Sequence, residues 1–156
     1  MIKIRKGRIS DLEELLNEDW AWGGAKNLQN KYIRAIEKDS REFLVVEDDG
    51  KVIGELWIFW NDDEDSEQAN GTSRAYLSTL RLEPNYRRQG WGTKLINKAF
   101  EIAKKKGFKE ATVGAYKHEP GIQKLYNKWG FTEEIKEAID KSDGSEQEYI
   151  LLLKRL

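Results

Sequence analysis

The chain of 156 residues has no cysteine, which excludes disulfide staples, thiolate metal centres and a cysteine-linked covalent intermediate. Its one histidine, His118, excludes a His-rich metal site and leaves little for a Ser/His triad, so no metal is expected. The longest apolar runs have about five residues, far below the ~20 of a membrane-spanning helix or the 7–15 of a signal-peptide core. Lys and Arg number 27 against 28 Asp and Glu, a net charge of −1. No global field then draws the protein to nucleic acid or anionic lipid. A cytoplasmic protein with neither nucleic-acid nor membrane partner is expected, folded as one domain over residues 1–156. Six Trp, six Tyr and five Phe supply a core.

Ile2 and Ile4 alternate with Lys3 and Arg5, the period of a half-buried strand. Ser10 and Glu13 have capping-box spacing ahead of a helix with Leu12, Leu15 and Leu16 on one face. Gly23-Gly24 breaks the pattern before a second helix carrying Leu28, Tyr32, Ala35 and Ile36. Strand-like runs 43–47 and 51–60 flank Asp48-Asp49-Gly50, a hairpin signal. The segment 61–73 holds five acids and no base before Arg74 and predicts a solvated loop. A strand follows to Glu83, where Pro84 stops it. Leu95, Ile96, Ala99, Phe100 and Ala103 recur at helical spacing and Gly107 ends that helix. A strand over 110–116, a helix from Pro120 to Gly130, and two last strands over 132–139 and 149–153 joined through Asp143-Gly144 complete the order.

The run Leu80-Arg81-Leu82-Glu83-Pro84-Asn85-Tyr86-Arg87-Arg88-Gln89-Gly90-Trp91-Gly92-Thr93 carries the most chemistry. A strand ends, two arginines follow, and two glycines open a helix, whose unpaired N–H groups attract anions. A dinucleotide fingerprint needs a third glycine where Leu95 stands, and the Gly-Lys-Ser/Thr of a nucleotide P-loop is absent. Between Arg81 and Lys109 nine bases face two acids, a local net charge of +7. Lys98 and Lys104 to Lys106 fit an ordinary solvated helix face, which leaves Arg87 and Arg88 for phosphate.

Arg-x-x-Gly-x-Gly at 87–92, with Leu125-Tyr126 and Gly130-Phe131 about 35 residues later, resembles the GNAT superfamily of acyl-CoA-dependent N-acyltransferases. The likeness spans about Ala75 to Phe131. It implies a mixed α/β fold with a central, largely antiparallel sheet flanked by helices, acetyl-CoA as cosubstrate, an amine acceptor, and direct transfer in a ternary complex. A homodimer is compatible with it. On this likeness Leu80, Arg81 and Leu82 hold the pantetheine arm through the backbone, and Arg87, Arg88, Gln89, Gly90, Trp91, Gly92 and Thr93 wrap the pyrophosphate. Tyr126 matches the tyrosine that protonates the departing thiolate, and its other reading is a core tyrosine beside Leu125. The chain departs from the family twice. Glu119 stands where Asn is frequent, and Tyr76 fills the fourth-strand position where relatives often carry a basic Glu. Glu119, His118, Glu55 or a water chain remain as candidate bases. Trp20, Trp22, Trp57 and Trp60 fall in segments that border the acceptor end of the family's cleft. The acids Asp62, Asp63, Glu64, Asp65 and Glu67 could draw a cationic acceptor or simply be solvated. The acceptor is a small-molecule primary amine on the leading reading, with a protein amino group or a non-catalytic acyl-CoA-binding module as the alternatives.

Overall fold

The structure is a computed structural model that describes residues 1–25, 28–141 and 144–156. Among the described residues, seven strands form one sheet: β1 (Ile2–Lys6), β2 (Arg41–Asp48), β3 (Lys51–Phe59), β4 (Arg74–Leu82), β5 (Glu110–Tyr116), β6 (Glu133–Asp140) and β7 (Gln147–Arg155). Their spatial order is β1-β2-β3-β4-β5-β7-β6, and only the β4–β5 pair is parallel. The α-helices α1 (Ile9–Leu16), α2 (Gln29–Glu37), α3 (Trp91–Lys105) and α4 (Pro120–Lys128) lie along the chain where the sequence pattern puts them. The β2–β3 connection is the Asp-Gly hairpin turn, with Asp49 at φ 46° and Gly50 at φ 88°. Two positive φ values twist a two-residue turn to match the right-handed strands on either side.

The strands' two faces bury two clusters. Leu44, Val46, Ile58, Leu77, Leu95, Ile96 and Phe131 belong to the one under α3. Leu12, Leu15, Trp22, Phe43, Val45 and Trp57 belong to the other, under α1 and α2. Alternation along β2 sorts Leu44 and Val46 to the first and Phe43 and Val45 to the second, the period-two consequence of the pleat.

Local expectations are corrected at two places. At the start of α1, Asp11 rather than the Ser10–Glu13 pair caps the helix. Its carboxylate accepts from the Arg8 N–H at 2.7 Å and from both Nη groups of Arg5 at 2.8 and 2.9 Å. The segment 61–73 is not a freely solvated loop. Asn61 bridges to Asn70, Ala69 is buried, and Thr112 Oγ1 donates to the Gln68 carbonyl at 2.7 Å. Lys136 of β6 reaches Asp65 at 2.9 Å and Glu67 at 3.1 Å. Asp143, half of the turn expected between β6 and β7, lies outside the described residues.

Candidate active site

The sheet opens at its centre. β4 pairs with β5 at Arg74, Tyr76 and the residue between them, and no farther, whereas β5 stays paired with β7 up to Tyr116. The cause lies on the other edge of β4. Glu55 faces Arg81 and Trp57 faces Ser78, so Thr79 and Leu80 together stand opposite Leu56. This bulge puts Thr79 at φ 58°, a region that β-branched residues rarely enter, and it bends the strand away from β5. Leu80, Arg81 and Leu82 therefore present a strand edge free of β5, available to an extended ligand as a neighbouring strand would be.

The start of α3 follows directly after this edge. Glu83 accepts from the Asn85 N–H at 3.3 Å, Arg87 Nε donates to the Leu82 carbonyl at 3.0 Å, and Gln89 Nε2 donates to the Asn85 carbonyl at 3.1 Å. Side chains expected on a ligand thus also brace the turn. Arg88 (φ 61°) and Gly90 (φ 89°) are left-handed, which turns the backbone into the helix. Among the described residues, no hydrogen bond is made by the backbone N–H groups from Arg88 to Thr93; the first helical one is Lys94 to Gly90. Six consecutive unpaired donors at a helix N-terminus, with Arg87 and Arg88 beside them, suit a pyrophosphate. A Cβ built on Gly92 would lie 3.8 Å from Leu80 and 4.0 Å from Trp129. The protein's own packing therefore does not require glycine there.

Tyr126 lies half-buried on α4, which packs against β5. Burial, together with the charge of Glu119, pushes its phenol up to about 12, so it keeps its proton at neutral pH. The candidate bases differ sharply in setting. His118 and Glu119 form an exposed pair at 3.3 Å, outside the core. Glu55 on β3 is wholly buried, and burial pushes its carboxyl up to about 7. The Trp57 and Trp22 indoles oppose that shift by donating to Oε1 at 2.8 and 3.2 Å, as does Arg81, whose Nη1 lies 3.9 Å from Oε2. Tyr76 is held far above an ordinary phenol by burial, and it supplies no carboxylate.

The tryptophans divide between the two faces. Trp20, Trp22 and Trp57 belong to the α1–α2 side with Glu55. Trp60 packs in the opposite cluster, 4.9 Å from the Phe108 ring, and donates to Glu42 at 2.9 Å. It lies just beyond the end of β3, on the sheet face opposite the other three. The acids 62–67 adjoin α2 and β6; a shallow cleft of about 210 Å³ between Lys31, Arg34, Asp63 and Glu64 lies away from the parted strands. Nothing in the periodicity signals the Arg81 side chain, expected to act only through its backbone. It crosses to the α1–α2 turn, donates to the Ala21 carbonyl and lies 5.3 Å over the Trp22 ring.

The Acetyltransferase (GNAT) family matches residues 9–131. The chain is 30% identical to a spermidine N(1)-acetyltransferase of Thermoplasma acidophilum, over 93% of both chains. Its fold is shared by a GNAT acetyltransferase from Elizabethkingia anophelis with acetyl-CoA bound (21% identity, TM-score 0.68, 99% of this chain and 98% of that one). It is shared too by the PaiA N-acetyltransferase of Thermoplasma acidophilum in complex with coenzyme A (24% identity, TM-score 0.67, 100% and 99%). With a parted β4–β5 pair, a glycine-turned helix start after it and a family match over most of its length, the chain belongs to the GNAT family of acyl-CoA-dependent N-acetyltransferases.

Proposed function

We propose that the protein moves the acetyl group of acetyl-CoA to the primary amine of a small molecule, by direct attack in a ternary complex. The observation that carries this reading is the free edge of Leu80, Arg81 and Leu82 leading into the unpaired N–H groups from Arg88 to Thr93. The pantetheine arm would pair with that edge, and the pyrophosphate would lie on the turn with Arg87 and Arg88. N–H groups of the bulged strand would face the thioester oxygen as it gains charge. Nitrogen attack forms the C–N bond and the C–S bond breaks. Tyr126 gives its proton to the sulfur and recovers one from the new amide nitrogen. The small-molecule acceptor is supported by the spermidine acetyltransferase at 30% identity.

The test is an acetyl-CoA assay with free-thiol detection across spermidine, aminoglycosides, amino acids and peptides, run on wild type and Tyr126→Phe. Turnover with small amines that falls ~10²–10⁴-fold in the variant is expected, with acetyl-CoA affinity retained. Turnover with peptides alone would replace the acceptor class. Acetyl-CoA binding without turnover on any acceptor would leave a binding module.

A further inference from the structure

Among the described residues, two buried side-chain polar atoms make no hydrogen bond: Glu55 Oε2 and Trp20 Nε1. Both belong to the face covered by α1 and α2. A buried carboxylate oxygen without a donor is costly, because water's hydrogen bonds to it are lost and not replaced. Oε1 is served by two indoles, whereas Oε2 has only the Arg81 guanidinium at 3.9 Å, an ion pair without a hydrogen bond. The Arg81 side chain is 37% exposed while that of Glu55 is 0%, so of this ion pair only the arginine side chain reaches solvent. It is held on the far side by the Ala21 carbonyl and the Trp22 ring. Glu55 and Arg81 are register partners across β3 and β4, at the very bulge that parts β4 from β5.

From this geometry we infer that Glu55 Oε2 is the receptor for the acceptor's ammonium group, and that the Arg81 guanidinium covers it until a primary amine takes its place. The inference rests on the proposed acetyl transfer and adds to it the site where the acceptor is bound and loses its proton. An ammonium has the charge and donors that the guanidinium brings, yet is small enough to bond Oε2 directly. The aromatic wall of Trp22, Tyr32 and Trp57, with ring centroids 4.7–6.2 Å apart, suits a cation with an apolar stem. The proton passes from R–NH3+ to Oε2, leaving R–NH2 to attack and a neutral Glu55 acid that later releases the proton to solvent. A carboxyl held near 7 is a far better base for this step than one at ~4.3. The other titratable or charged groups packed on this face are Tyr32 of α2, Tyr76 of β4 and Arg41 of β2, the last 4.7 Å over the Tyr32 ring. The buried Asp11 of α1 is taken by Arg5.

The experiment compares wild type, Glu55→Gln and Trp57→Phe with spermidine and n-butylamine as probes, after acetyl-CoA has been shown to raise the melting temperature of each. In Glu55→Gln the KM for both amines should rise at least tenfold, the acid limb of kcat/KM near pH 7 should vanish, and the KM for acetyl-CoA should stay the same. Trp57→Phe, which keeps the carboxylate but removes one donor, should shift that limb to higher pH. Without substrates, tryptophan fluorescence should titrate near pH 7 in wild type and not in Glu55→Gln. An unchanged amine KM and an unchanged acid limb in Glu55→Gln would overturn the inference, as would a limb in Trp57→Phe identical to wild type if the Gln variant failed to fold. Absence of any acetyl-CoA stabilisation in wild type would instead count against the proposed acetyl transfer.

Discussion

Glu55 is a costly residue for the core, because a carboxylate with no exposed surface must either stay neutral or lose hydration. Its carboxyl is raised from 4.5 to about 7, so between those pH values the folded protein holds a proton that the unfolded chain has lost. Stability attributable to Glu55 is therefore full below pH 4.5, falls as pH rises toward 7, and is flat above. The loss amounts to about 3 kcal/mol at ~1.4 kcal/mol per unit. Glu55→Gln should gain in melting temperature over wild type as pH goes from 5 to 8, with little difference at pH 4.5, readable by thermal denaturation across that range. Tyr126 behaves differently, since its phenol at about 12 stays protonated through any ordinary assay. Tyr126→Phe should lower turnover without moving a pH limb below 10, and a limb that shifted there would deny the phenol its role as proton donor.

At the scale of an element, the junction of β4 and α3 separates conformational need from ligand need. Gly90 sits at φ 89°, where a side chain costs roughly 1–2 kcal/mol. Gly92 has an ordinary helical position with room for a methyl group, and alanine in a helix is favoured over glycine by ~0.5–1 kcal/mol. Gly90→Ala should thus lower the melting temperature even without ligand. Gly92→Ala should hold or raise it, yet lose most of the stabilisation that acetyl-CoA confers on wild type. Two thermal shifts per variant, with and without acetyl-CoA, separate the effects. A full acetyl-CoA shift in Gly92→Ala would remove that helix start from the binding site.

Across the whole molecule, the acidic connection between β3 and β4 links distant parts of the sheet. Lys136 on β6 holds Asp65 and Glu67, and Gln68 Nε2 donates to Tyr149 of β7 at 3.0 Å. A loop of five acids is thereby docked on a lysine. Lys136→Met should release it, with faster amide exchange over 62–69 and a stability loss of about 1 kcal/mol, because the lysine is partly exposed and screened. Unchanged exchange would assign the docking to Gln68 and Thr112 instead. No helix among the described residues is long and apolar enough to cross a membrane.

How much of this was legible beforehand follows from the range of the forces involved. Strand and helix assignments rest on short-range periodicity, so Leu95 to Ala103 could be assigned to a helix and Asp49-Gly50 to a turn from neighbours alone. The family motif is likewise local, since a turn of arginine and glycine is defined within six residues. Asp11 caps α1 through the Arg8 N–H three residues before it, a local spacing, whereas its ion pair with Arg5 of β1 is a contact that no spacing encodes. Whether Trp22 and Trp60 lay on the same face also depended on how β3 meets its neighbours. The sequence by itself determined the order of elements, the helix start that suits a pyrophosphate, and Tyr126 as a candidate acid. Only the tertiary structure decided which of Glu55, His118 and Glu119 is buried against an arginine, because burial and the resulting pKa arise from residues 26 to 33 positions apart in the chain that the bulged sheet brings together.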